Sequence, residues 1–391
     1  MVRFLHTADW QIGKPFARVS DLEKRAQLKQ MRIAAITRLA DLARREQPAF
    51  VLVAGDLFDS PGPTRAELSQ ACSAIAAIAV PVFVIPGNHD HGGPDSLWHQ
   101  GWFQACAAEL APNLQVLLER RPLQVAGALL LPCPLLRQAE SLDPTAWVRQ
   151  LDPDQLPPGP RILLAHGSVH GFAAAEECEA DGEAGTGDSN RIDLSAIPAG
   201  LVDYAALGDW HGLKQVGEAA WYCGCPEQDR FPRAEGYRSG QVLLVDLERG
   251  RPPQVRVEPT GTAGWHQLQH RFQADGDLER LELALQRCLG GRSGSDLLLL
   301  ELEGNLSLEA SARLNDLLER LEARLLRLKL RNSTTLAPSA AELAELVQRP
   351  GDPLVARVGL ILQEQSQTTA AEAQLARLAL RELYSLCRGE G

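Results

Sequence analysis

Five short apolar runs in the first part of this 391-residue chain each end in a polar turn, and that repetition sharply limits the folds open to it. The runs are Val2-Arg3-Phe4-Leu5, Phe50-Val51-Leu52-Val53, Val82-Phe83-Val84-Ile85, Ile162-Leu163-Leu164 and Tyr204-Ala205-Ala206-Leu207. Each has the length and composition of a buried strand. Amphipathic stretches over residues 22–45 and 64–78 separate the first three. A βαβαβ order of this kind requires parallel neighbours with helices covering the sheet. Further strands follow from residue 162 and end with the run 241–247, so the class is α/β.

The turns after these runs carry the chemistry. They read Thr7-Ala8-Asp9-Trp10-Gln11, Gly55-Asp56-Leu57-Phe58-Asp59, Gly87-Asn88-His89-Asp90, Ala165-His166-Gly167 and Gly208-Asp209-Trp210-His211. Loops at strand ends are where an open α/β sheet gathers functional groups. Asp9, Asp56, His89, His166 and His211 are the polar groups to single out. A carboxylate bridge by Asp56 would let two cations sit about 3.5–4 Å apart, the usual spacing in two-metal hydrolases. Asn88 offers an amide oxygen, the histidines offer ring nitrogens, and Asp9 adds a second anion. Taken alone, any one Asp or His here reads as a turn or capping residue. Five together, each after a strand, read as a metal centre.

Composition sets outer limits. A net charge of −11 argues against a surface that binds nucleic acid everywhere, while leaving room for local basic groups. Arg25, Lys29 and Arg32 in the first helix and Arg230, Arg233 and Arg238 later are such groups. The eight cysteines lack the spacing of a disulfide scaffold, and no leader precedes the first strand, so a cytoplasmic protein is expected. No apolar run is long enough to span a bilayer. The acidic, Gly- and Ala-rich stretch 173–189 reads as a mobile surface loop.

Chain style changes near residues 260–264. Strand, helix, strand and long helix follow over 266–325 and close on the apolar run 326–330, the pattern of a small α+β domain. Two more helices, 340–348 and 370–387, are expected after it, joined by a polar segment containing Gly351 and Pro353. Leu375, Leu378 and Leu383 fall on one face of the last helix at i, i+3, i+8, a face suited to a partner helix.

The order of these motifs, together with Tyr222-Cys223-Gly224-Cys225-Pro226 followed by Phe231 and Glu235, resembles the calcineurin-like metallophosphoesterase superfamily, and within it the SbcD-type nucleases of double-strand-break repair. The resemblance is motif-dense over about residues 1–250. It implies a four-layer α/β/β/α sandwich over 1–258, a capping domain over 262–334, and C-terminal helices over 337–391 that bind an SMC-like coiled-coil ATPase of SbcC type. It also implies two divalent ions, the first held by Asp9, Gln11, Asp56 and His211, the second by Asp56, Asn88, His166 and Asp209. His89 would act on the phosphoryl transition state, with Asp90 orienting it. His91 and His170 would touch substrate, and homodimerisation is carried over as well.

Two positions depart from the family pattern. Gln11 stands where Asp-x-His is usual, and Asp209 stands where the first histidine of Gly-His-x-His is usual. Both trade nitrogen for oxygen, which favours Mn²⁺ or Mg²⁺. The function expected is a metal-dependent DNA phosphodiesterase of an SbcCD-like complex. The alternatives are a phosphodiesterase for a small molecule such as a cyclic nucleotide, and a metal-binding scaffold of low activity. The additional domain argues against the first alternative, and Gln11 keeps the second in view.

Overall fold

Alternating apolar residues in each predicted strand build two six-stranded sheets packed face to face. The computed structural model describes residues 1–169, 189–231, 236–290, 294–336, 340–348, 352–366 and 371–388. The chain divides into two units, Met1–Ala263 and Gly264–Gly391.

In the first unit the elements run β1 (Val2–Thr7), α1 (Leu22–Glu46), β2 (Phe50–Ala54), α2 (Arg65–Ala76), β3 (Val82–Ile85), α3 (Gly101–Leu110), β4 (Leu114–Val116), β5 (Leu123–Val125) and β6 (Ala128–Cys133). They continue as β7 (Arg161–His166), β8 (Ser168–Val169), β9 (Arg191–Ile192), β10 (Tyr204–Gly208), β11 (Lys214–Gly217), β12 (Ala220–Tyr222), β13 (Gln241–Leu247) and β14 (Gln254–Pro259). One sheet has the order β14-β13-β1-β2-β3-β4 and the other β11-β12-β10-β7-β6-β5. Strands β1 to β4 are mutually parallel, with β13 antiparallel to β1. Strands β6, β7, β10 and β12 are parallel in the second sheet. Parallel running puts the C-terminal ends of β1, β2 and β3 at one edge, and those of β7 and β10 likewise.

Strand alternation sorts the core into layers. Leu5, Val51, Val53, Val82 and Val84 face Ile36, Leu39, Leu68 and Ile75 of α1 and α2. The opposite side chains, Phe4, Phe50, Leu52 and Phe83, meet Leu130, Ile162, Leu164 and Tyr204 of the second sheet. Phe4 stacks on Phe50 and meets the Tyr204 ring edge-on. The outer face of the second sheet, Leu131, Leu163, Ala165 and Leu207, packs under Val148, Ile192 and Leu201. Its cover includes the 3₁₀ helices Ala146–Gln150 and Leu194–Ala196. The result is an α/β/β/α arrangement in which short turns serve as the fourth layer.

Both predicted helices start where capping chemistry directs. The Asp21 carboxylate accepts from the Glu23 and Lys24 amides, and Thr64 with Glu67 forms a full capping box.

In the second unit β15 (Gly264–Phe272), α4 (Asp277–Leu289), β16 (Asp296–Leu306), α5 (Leu308–Arg324) and β17 (Arg327–Leu336) form a parallel β15-β16-β17 sheet. Leu278, Leu281 and Leu285 of α4 and Leu314, Leu318 and Leu321 of α5 cover it through Leu298, Leu300 and Leu302. The chain ends in α6 (Ala340–Val347), α7 (Pro353–Ser366) and α8 (Ala371–Arg388). Helix α7 corrects the sequence expectation of a polar connecting segment. Pro353 suits the first turn of a helix, and Asp352 caps it by accepting from the Val355 amide at 3.2 Å. Leu380 and Tyr384 of α8 bury against Leu308 and Leu346. The acidic stretch 173–189 lies, but for Ser189, outside the described residues.

Candidate metal centre

Four residues at the strand ends sit in left-handed backbone conformations: Asp9 (φ 53°), Gln11 (φ 41°), Asp56 (φ 54°) and Asp209 (φ 101°). Non-glycine residues rarely hold positive φ, and such strain clusters at functional sites. Hydrogen bonds between the loops sustain it. The Asp9 amide donates to the Gly55 carbonyl at 3.1 Å and the Gln11 amide to that of Asp56 at 2.9 Å. Across the two sheets, the Asp209 amide donates to the Asp9 carboxylate at 3.1 Å. Close approach explains Gly87, where a Cβ would lie 2.1 Å from Asp56 Oδ1. It explains Gly55 too, where a Cβ would lie 2.1 Å from His166 Nδ1.

The turns thereby bring their donors together. Ligand atoms of Asp9, Asp56 and His166 all lie within 4.8 Å of one another, and all three residues are buried. His166 Nε2 is 2.8 Å from Asn88 Oδ1, 3.6 Å from Asp56 Oδ1 and 3.8 Å from Asp209 Oδ1. Its other nitrogen lies 2.8 Å from the Ala54 carbonyl. A carbonyl only accepts, so Nδ1 carries a proton and Nε2 is the nitrogen turned to the carboxylates. Ser168 Oγ donates to Asp209 Oδ2 at 3.0 Å and steadies that carboxylate.

Electrostatics point the same way. Burial lifts the Asp9 carboxyl to about 6 against the lowering pull of His211 and His166. For His166, burial lowers the pKa, but the Asp56, Asp9 and Asp209 carboxylates overcome it and raise the ring to about 9. Three carboxylates and an amide oxygen around one imidazole form a buried, acceptor-rich pocket. Hard oxygen donors plus one nitrogen fit a divalent cation such as Mn²⁺ or Mg²⁺.

His89 sits at the rim. Its Nδ1 lies 2.8 Å from the Asp59 carbonyl and its Nε2 3.9 Å from Asp56 Oδ2. Asp90 stands differently from the sequence expectation of a group orienting His89. Its carboxylate accepts from the Gly87 amide at 2.8 Å and the Phe58 amide at 3.0 Å, bracing two site loops. Burial first, then Asp56, raises its carboxyl to about 7. His89 Nδ1 meets instead a main-chain carbonyl of the Gly-Asp-Leu-Phe-Asp turn. His91 lies beside this loop with Nδ1 buried and without a hydrogen-bond partner among the described residues. His170 lies outside the described residues. Trp10 is buried, its Nε1 donating to Thr7 Oγ1 at 2.9 Å, and Trp210 meets the Tyr237 ring edge-on.

His211 and Gln11 complete the other half. His211 Nδ1 donates to Asp229 Oδ2 at 2.9 Å, and its Nε2 is 3.4 Å from Gln11 Nε2. Ligand atoms of His211, Cys225 and Asp229 also lie within 4.8 Å of one another. Sequence reading missed Asp229 and Lys14, and named Arg32 and Arg230 only as local basic groups, without a place in the site. Asp229 lies 18 positions after His211 in an irregular loop, so no periodicity marks it. The Tyr-x-Gly-x-Pro segment just before it was the available signal.

Comparison with known proteins follows the same outline. Residues 2–213 match the calcineurin-like phosphoesterase family. The uncharacterized metallophosphoesterase YhaO of Bacillus subtilis is 36% identical over 95 residues, 23% of either chain. The SbcD component of nuclease SbcCD from Escherichia coli K12 is 25% identical over 280 residues, 64% of this chain and 66% of that one. Each match thus spans less than two thirds of the relative's length. The crystal structure of TT1561 of Thermus thermophilus aligns at a TM-score of 0.37 and 13% identity, over 66% of this chain and 98% of that one. That likeness is too loose to bear on function.

Proposed function

Since the chain belongs to the calcineurin-like phosphoesterase family, we propose that it is a divalent-metal-dependent phosphodiesterase acting on DNA, working beside a coiled-coil ATPase. The observation that carries the hydrolase reading is the buried convergence of Asp9, Asp56 and His166, with Asn88 Oδ1 2.8 Å from His166 and His89 at the rim. Asp9, Asp56, Asn88, His166 and Asp209 would hold the cation, Mn²⁺ or Mg²⁺. When bound, it supplies Lewis-acid neutralisation of the phosphate.

The protein's own groups do the rest. Asp90 and the glycines fix the loops so that donors meet without rearrangement, which is the preorganisation electrostatic catalysis needs. The Asp59 carbonyl accepts from His89 Nδ1–H, so the imidazolium form would carry its second proton on Nε2, hand that proton to the leaving oxygen and return to the neutral Nδ1–H ring. Tyr222 donates to the Gly167 carbonyl at 2.7 Å and keeps the His166 turn in place.

DNA is favoured as substrate by the similarity over 280 residues to the SbcD component of nuclease SbcCD, and by the second unit at Gly264–Gly391. Among the described residues no helix is long and apolar enough to cross a membrane. The test is a Mn²⁺- or Mg²⁺-supplemented assay on single- and double-stranded DNA beside cyclic nucleotides. Metal-dependent cleavage of DNA is the expected result. Hydrolysis of cyclic nucleotides alone would replace the substrate assignment. Metal binding with no hydrolysis of either would leave a scaffold role.

A further inference from the structure

The two halves of the centre are built unequally. An ion in the first half would draw on Asp9, Gln11, Asp56 and His211. Gln11 Oε1, the one side-chain oxygen that residue can offer a cation, accepts instead from Lys14 Nζ at 2.8 Å. The Gln11 amide nitrogen is turned toward His211 Nε2 at 3.4 Å, the ring nitrogen an ion would use. Two fixed cations surround this half. Lys14, its side chain only 12% exposed, also pairs with Asp229 at 3.3 Å and Asp59 at 3.6 Å. The Arg230 guanidinium lies 2.6 Å from His211 Nδ1 and 3.0 Å from Asp229 Oδ1.

The second half has the opposite character. Asp56 and Asp209 pair with His166, and Asp56 also with His89, so among the described residues the groups these carboxylates face there are imidazoles. An imidazole can turn a ring nitrogen to a metal, whereas an ammonium or guanidinium offers only donors and repels one.

We infer that this chain binds one divalent ion, at Asp56, Asn88, His166 and Asp209 with Asp9 beside them, and that Lys14 and Arg230 provide fixed positive charge in place of a second ion next to Gln11 and His211. This rests on reading the cluster as a divalent-metal centre. A substrate phosphate would then meet one metal and two cationic side chains. The rival consideration is the Asp229–His211 pair, since a carboxylate behind a histidine is also how metal ligands are oriented. On that view His211 would be waiting for a second ion, and counting ions decides between the two.

The experiment strips full-length protein with EDTA, restores Mn²⁺ by dialysis, and counts the ions by plasma mass spectrometry and electron paramagnetic resonance. One Mn²⁺ per chain with the six-line signal of an isolated ion is expected. A Gln11→His, Lys14→Met double variant should rise to two per chain with an exchange-coupled signal. Two coupled ions in the unaltered protein would overturn this inference and leave the hydrolase reading standing. No bound Mn²⁺ would overturn both. A folded double variant still at one ion would overturn the part given to Gln11 and Lys14. If that variant does not fold, the count on the unaltered chain decides by itself.

Discussion

Arg32, buried in the middle of α1, donates to the main-chain carbonyls of Asp9 at 3.0 Å and Trp10 at 2.8 Å. It ties the helix layer to the turn that holds Asp9 at positive φ. A methionine at position 32 would fill similar volume but take the donor from these two carbonyls and from that of Glu227, which Arg32 meets at 3.4 Å, at a cost of about 1–3 kcal/mol for each one left unpaired. Arg32→Met should therefore lower the denaturant midpoint and also weaken Mn²⁺ binding at least tenfold. Lost stability with unchanged Mn²⁺ affinity would mean that Arg32 supports the fold without shaping the site.

Asp56 and His89 predict separable defects. Asp56 lies among the metal donors, while His89 touches them only from the rim. Asp56→Asn should abolish both metal binding and hydrolysis with the circular dichroism spectrum unchanged. His89→Ala should keep the metal and lose about 10²–10⁴-fold in turnover, the range for a general acid. Normal turnover on DNA by the alanine variant would remove His89 from the mechanism.

These predictions show what could be read from the chain alone. The five strand-end turns were visible because each couples a β-rich apolar run to Asp, Asn or His, and a parallel sheet must bring such ends to one edge. The partners behind them were not. Arg32 falls on a helix face where burial would not be expected of a charge, and only the approach of the Asp9 turn explains it. Asp90 looks like a companion for its neighbour His89, yet its carboxylate serves amides 3 and 32 positions away. In α8 a search for leucines finds Leu375, Leu378 and Leu383. The face that packs is Leu380 with Ala373, Ala376 and Tyr384, and the last three are small or aromatic residues that such a search passes over.

His6 makes stability depend on acid. It sits between the sheets with Nδ1 3.0 Å from Tyr204 Oη and Nε2 3.2 Å from the Leu207 carbonyl. Burial pulls its pKa from 6.5 to about 3. Below pH 6.5 the unfolded chain takes up a proton that the folded chain refuses until about pH 3. The contribution is therefore present above pH 6.5 and lost as the pH falls toward 3. Across that window His6 should remove about 1.4 kcal/mol per pH unit. Melting curves in EDTA from pH 7 to pH 4 should fall more steeply for the wild type than for His6→Gln. Parallel curves would show that His6 does not carry the effect.

The C-terminal helices have one face already occupied and another still open. Leu380 and Tyr384 bury against Leu308 and Leu346, so removing α8 would strip cover from α5 and confuse folding with binding. Leu375 and Leu378, by contrast, are 68% and 47% exposed, and Leu354 and Ile361 of α7 are exposed as well. Changing exposed residues alters stability by about 0.5 kcal/mol or less. Leu375→Glu with Leu378→Glu should thus leave the melting temperature nearly unchanged. If these leucines seat the proposed coiled-coil ATPase, the double variant should no longer co-purify with a co-expressed SMC-like ATPase of SbcC type. Undiminished co-purification at equal stability would move the partner surface elsewhere, because two buried carboxylates in a helix-in-groove contact could not be accommodated without loss.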